Sequence, residues 1–105
     1  MKKPILALLT LGIVLLGLPA FAAKPDADLY KSKCAMCHGA NGAGDTPMGK
    51  SQKIRDLRSD EVQKQTDIEL TKVISGGKGK MPPYGKQLST AQTEALIAFI
   101  RTLKK

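Results

Sequence analysis

The chain has no tryptophan, two phenylalanines and two tyrosines in 105 residues. It therefore lacks most of the side chains that bury the largest apolar areas. Cysteine is equally scarce: only Cys34 and Cys37 occur, which excludes a multi-disulfide scaffold. A bridge between the two would close a loop too short to constrain much of the chain. There is one histidine, His38. Two cysteines and one histidine fall short of the roughly four protein ligands of a structural zinc site. No period-two alternation, internal repeat or low-complexity tract follows residue 22, which excludes a sandwich or barrel and the βαβ setting of a thioredoxin-like thiol pair. Acidic residues are few, nine against 17 Lys and Arg, for a net charge of +8.

What the chain does have begins with an address. Lys2 and Lys3 precede an apolar run from Ile5 to Leu18, and Ala20-Phe21-Ala22 has the small-x-small pattern of a signal peptidase site. Fourteen residues are short for a membrane span, which needs about 20. Residues 1–22 are thus expected to be a cleaved signal peptide and 23–105 the mature domain. Losing Lys2 and Lys3 takes 17 basic residues to 15 against 9 acidic, a net of +6. The 83 residues that remain make one small domain, in the size range where a metal, disulfide or other staple is usually needed.

The rationed residues are gathered in one place. Cys34-Ala35-Met36-Cys37-His38 is a C-x-x-C-H run, the pattern for covalent attachment of a c-type haem. Each thiol can add across one vinyl group, two intervening residues let both sulfurs reach one edge of the ring, and the next residue, His38, falls where an imidazole nitrogen can ligate iron. A large apolar cofactor would also supply the core that the missing aromatics do not, so the chain without it is expected to be largely unfolded. Attachment of haem to such motifs outside the bacterial inner membrane agrees with export, and places the protein in the periplasm of a Gram-negative source.

Along the mature chain the pattern is all-α. Asp26 caps a first helix reaching about Cys34, with Leu29 and Tyr30 as its apolar contacts. Gly39 to Lys50 reads as loop. Ser59 caps a short helix through Val62 and Gln63. Thr66-Asp67-Ile68-Glu69 is a capping box that opens a helix from Asp67 to about Ser75, with Leu70, Val73 and Ile74 on one face, and Gly76-Gly77 stops it. Lys78 to Leu88 is a second loop. Ser89-Thr90-Ala91-Gln92 opens the last helix, to about Leu103, with Leu96, Phe99, Ile100 and Leu103 as its buried stripe. The first and last helices are expected to cross, with Leu29 or Tyr30 against Leu96, Phe99 or Ile100.

With no second histidine, methionine is the candidate for a second axial ligand. Met1 is in the leader, and Met36 is fixed inside the motif beside His38. Met48 follows Thr46-Pro47 and is near His38 in sequence. Met81 stands in Gly79-Lys80-Met81-Pro82-Pro83-Tyr84, where two prolines stiffen the backbone and enough chain separates it from His38 to wrap a ring. Met81 is the favoured ligand, Met48 the other candidate, and an open iron the remaining one.

Cys34 to Gly39, Gly79 to Tyr84 and an amphipathic final helix ending Phe99-Ile100-Arg101-Thr102-Leu103 together resemble a class I cytochrome c, most closely the small bacterial and algal monohaem type. The resemblance spans essentially the whole mature chain. It implies three to five helices around one haem c, His38 and Met81 as axial ligands, and one-electron shuttling rather than enzymatic turnover. It also implies a hydrogen bond from the ligating histidine to the Pro47 carbonyl. The tryptophan that bonds a haem propionate in mitochondrial relatives is missing, leaving Lys50, Gln52, Lys53 and Arg55 as candidates. Lys78, Lys80 and Lys86 around Met81 suit a redox partner protein with an acidic surface. Nucleic acid and stable membrane insertion are not expected, and a monomer is the default state. Two other readings stay open: a haem enzyme or gas-binding sensor with a labile sixth position, and a haem subunit of a larger respiratory complex.

Overall fold

The computed structural model describes residues 2–4, 12–13 and 23–105. Most of the expected leader lies outside the described residues. From residue 23 onward the chain is helical. Six segments follow in order: α1 (Ala27–Lys33), α2 (Ala35–His38), α3 (Pro47–Gln52), α4 (Asp60–Gln63), α5 (Asp67–Gly76) and α6 (Thr90–Thr102). Two of them, α2 and α4, are single turns of four residues. Among the described residues the only β contact is an isolated bridge between Lys78 and Met81.

Side-chain caps set where these helices start. The Asp26 carboxylate accepts from the Leu29 N–H at 2.9 Å and opens α1. Ser59 accepts from Val62 at the start of α4. Thr66 with Glu69, and Ser89 with Gln92, form complete capping boxes on α5 and α6, each satisfying two amides that the helix itself cannot. Helix α3 departs from the sequence reading, because it begins inside the stretch taken as loop. Thr46 is its N-cap and Pro47 its first residue, where the missing N–H costs nothing. Gly49 sits within it, and only glycine fits: a Cβ there would collide with the Gly44 carbonyl and lie 2.5 Å from that of Cys37. The absent side chain lets α3 pack directly on the backbone of the Cys34–His38 motif.

The helices close on one small core of Tyr30, Val62, Leu70, Ile74, Leu88, Leu96, Ile97 and Ile100. As expected, α1 crosses α6, and the rings of Tyr30 and Phe99 meet at 4.6 Å between centroids. The buried arc of α6 is wider than the expected stripe. Thr93 and Ile97 are buried with Leu96 and Ile100, while Phe99 and Leu103 are half-buried. The reason is that α6 packs on α5 as well as on α1. A guanidinium clamp ties the same helix to the α4–α5 connection: Arg101 donates to the carbonyls of Gln63 and Gln65 at 2.7 and 2.6 Å and to the Asp67 carboxylate at 2.8 Å.

Candidate haem site

Helix α1 runs straight into the motif. Cys34 is both its C-cap and the N-cap of α2, and the helical ladder breaks there. The break turns Cys34, Cys37 and His38 together onto a cavity of about 400 Å³, within the range of small-molecule and cofactor sites. Core side chains Tyr30, Leu70, Ile74, Leu88, Leu96 and Ile100 form much of its apolar lining, and Met81 and Pro82 line it from the second loop. The structure thus brings Cys34, Cys37, His38 and Met81 to one cavity. Met48 does not line it; that side chain is 41% exposed, and its sulfur accepts from Gln52 Nε2 at 3.1 Å. Met36 points to solvent at 75% exposure.

The electrostatics of these groups suit a metal-bearing organic cofactor. Burial pushes the Cys34 thiol up to about 11, with Cys37 beside it adding to the shift, so Cys34 is a neutral thiol at physiological pH rather than a reactive thiolate. Burial lowers the pKa of His38 and keeps the imidazole in its neutral, metal-binding form. Among the described residues its buried Nδ1 has no hydrogen-bond partner, an uncommon state for a buried polar atom. The imidazole is therefore not committed to any protein acceptor. The bond to Pro47 implied by the resemblance is absent: as the first residue of α3, Pro47 turns its carbonyl along that helix. The residues present fit haem c in three ways: two thiols at the right spacing, a neutral imidazole without a partner, and an apolar cavity with a thioether in its wall.

The Met81 loop is braced by backbone bonds. Lys78 and Met81 exchange N–H to carbonyl bonds at 3.1 and 3.0 Å. Gly77 allows that tight return, with φ of 74° and a position where a Cβ would lie 2.6 Å from the Met81 carbonyl. Beyond the two prolines, the Tyr84 and Gly85 amides donate to the Ile74 and Ser75 carbonyls at 2.9 and 3.0 Å, fastening the loop to the end of α5. Of the four polar candidates for a propionate, Gln52, Lys53 and Arg55 line the cavity and Lys50 does not. Gln65 and Ile54 also line it, neither singled out from the sequence.

The family model described as cytochrome c oxidase, cbb3-type, subunit III matches residues 21–100. This chain is a small class I cytochrome c of that domain family. The cytochrome is 32% identical to the cbb3-type cytochrome c oxidase subunit FixP of Azorhizobium caulinodans over 82 residues, 78% of this chain but 27% of FixP. It thus spans about a quarter of that relative's length. It is 31% identical to cytochrome c6 of Synechococcus sp. over 104 residues, covering 93% of this chain and 90% of the relative. Among solved structures, the KustC0563 c-type cytochrome superposes with a TM-score of 0.71 at 29% identity, over 77% of this chain and 99% of that one. Family membership makes the cytochrome an electron-transfer protein with covalently bound haem c. Among the described residues, no helix is long and apolar enough to cross a membrane.

Proposed function

We propose that this cytochrome is a periplasmic one-electron carrier with a single haem c, joined through Cys34 and Cys37 and ligated axially by His38 and Met81. The observation that carries the reading is the convergence of those four side chains on one apolar cavity of about 400 Å³. Residues 1–22 act as the cleaved export signal. When bound, the haem would supply an iron that changes oxidation state by one electron, with the His38 imidazole and the Met81 thioether as its protein donors.

The protein's part is to hold that centre still and dry. Burial keeps His38 neutral, so its imidazole nitrogen is available as a donor at physiological pH. Met81 offers a thioether, a donor that favours the reduced metal, from a loop whose backbone is pinned on both sides. Rigid ligands move little when the charge changes, which keeps reorganisation small. Leu70, Ile74, Leu96 and Ile100 exclude water and disfavour the extra positive charge of the oxidised state.

Charge at the cavity mouth supports docking. Lys33, Lys53, Lys78 and Lys80 line it and are exposed, and none is in an ion pair among the described residues. Lys86 is exposed in the same loop. Such a cluster steers an acidic partner toward the haem edge. The rate of electron transfer with an acidic partner is expected to fall as salt rises through the range where the Debye length shrinks from about 30 to 8 Å. K78E/K80E should slow it further at low salt. A rate flat across that range removes the steering role.

The direct test of the whole reading is the intact mass of protein purified from the periplasm of a haem-ligating host. It should equal the chain from Ala23 plus one haem. A mass without the adduct overturns the proposal, and a chain beginning at Met1 overturns cleavage. The FixP match favours a second reading, in which the same domain works as a subunit of an oxidase. Co-purification with an oxidase in stoichiometric amount would establish it over the free carrier.

A further inference from the structure

Both tyrosines of the chain donate to the backbone carbonyls that bracket the Cys34–His38 motif. Tyr30 Oη donates to the Gly39 carbonyl at 2.7 Å, and Tyr84 Oη donates to the Lys33 carbonyl at 3.3 Å. The Lys33 carbonyl is open to this bond because the ladder breaks at Cys34. In a continuous helix the Cys37 amide would serve it; here the Cys37 and His38 amides both go to the Cys34 carbonyl, at 3.3 and 3.0 Å.

The two tyrosines differ in what they join. Tyr30 lies in α1, next to the motif it braces. Tyr84 belongs to the Met81 loop, 51 residues from Lys33. The other bonds that fasten this loop run within it or to α5. Among the described residues, the phenol of Tyr84 makes the one hydrogen bond between residues 78–88 and residues 26–39.

We infer that Tyr84 is a positioning residue whose hydroxyl latches the Met81 loop to the backbone immediately before Cys34, holding Met81 over the cavity that His38 lines. This rests on Met81 as the sixth ligand. Lifting the loop breaks the latch, so the hydroxyl opposes excursions in which Met81 leaves and an external ligand enters. The ring of Tyr84 lines the cavity and packs on the core, and Tyr84→Phe keeps the ring while deleting the latch.

The test is imidazole titration of the ferric holoprotein. Y84F should bind imidazole about two- to threefold more tightly than the wild type, the equilibrium equivalent of a neutral hydrogen bond at the weak end of the range, since this one is 3.3 Å long and exposed. The Met81 amide should exchange with solvent faster by a similar factor. T66A removes an exposed cap from α5 and lowers global stability without touching the cavity; its imidazole affinity should stay at the wild-type value. Wild-type affinity in Y84F overturns the latch, and so does an equal increase in T66A. M81A separates the two levels. If M81A and wild type bind imidazole equally, the ligand assignment fails and takes the latch with it. If M81A binds far more tightly while Y84F is unchanged, the latch alone fails.

Discussion

A chain in which Cys34 and Cys37 are both replaced by alanine is expected to lose its cooperative fold. Among the described residues eight hydrophobic side chains are buried, and seven of them, Tyr30, Val62, Leu70, Ile74, Leu88, Leu96 and Ile100, turn part of their surface to the cavity. The cavity therefore lies inside the core rather than beside it. Without haem these apolar side chains would face a water-filled cleft, losing both burial and packing contacts that the cofactor supplies. The whole stability of a domain is typically about 5–15 kcal/mol, and a domain this small sits at the low end. Side chains cannot close the gap, because the backbone around it is held by the α1–α6 crossing and the Arg101 clamp. The double variant should carry no covalent haem, show reduced helix content by circular dichroism and melt without a sharp transition. Wild-type helicity with cooperative melting in the haem-free double variant would mean that the helices alone suffice.

The single-cysteine variants sharpen this. C34A and C37A each keep one thiol on the cavity wall, so one thioether can still form. Each should fold when haem is attached and be less stable than the wild type. A cofactor that serves as core explains why so few aromatic side chains are enough.

Most of the fold was legible because its boundaries are written locally. Thr66 with Glu69 and Ser89 with Gln92 announce α5 and α6 in four residues each, and Asp26 and Ser59 announce α1 and α4. Helix α3 was hidden, since Gly49 costs a helix about 1 kcal/mol and reads as a breaker. Its true reason is the close approach to the Cys37 carbonyl, a tertiary fact. Thr46-Pro47 carried the start signal all the same. The burial of Ile97 was also tertiary: a helix packed on two neighbours hides a wider arc than one apolar stripe. Leu88 was better signposted, since it stands just before the Ser89 cap, where an apolar residue packs back on the first turn.

The site was legible to a different degree. Cys34, Cys37 and His38 share five consecutive positions, so their convergence needed only a local turn. Met81 was chosen by its prolines and its distance along the chain, and the structure places it on the same cavity. The bonds of Tyr30 and Tyr84 could not be anticipated. A side-chain hydroxyl seeking a carbonyl has no periodicity, and the Lys33 carbonyl becomes available only because the helix breaks one residue later.

Replacing Met81 with alanine is expected to change the centre while sparing the fold. The loop's fastening bonds, Lys78 with Met81 and the Tyr84 and Gly85 amides to α5, are made by backbone atoms and survive the substitution. Met81 is half-buried against the core, so the stability cost should fall at or below the roughly 2 kcal/mol lower bound for truncating a buried methionine. The redox effect is far larger. Losing the thioether removes the donor that favours reduced iron, and axial ligands span about 0.8 V across haem proteins. A fall in midpoint potential on the order of 0.1 V or more is expected, together with loss of the low-spin ferric spectrum and tight binding of carbon monoxide by the reduced protein. M48A is the matched comparison. Its side chain is exposed and off the cavity wall, so the spectrum and midpoint should stay at wild-type values. A wild-type spectrum and potential in M81A would show that another group caps the iron. Strong carbon monoxide binding by the unaltered protein would instead favour a gas-binding role, because a carrier with a braced sixth ligand offers no vacant position.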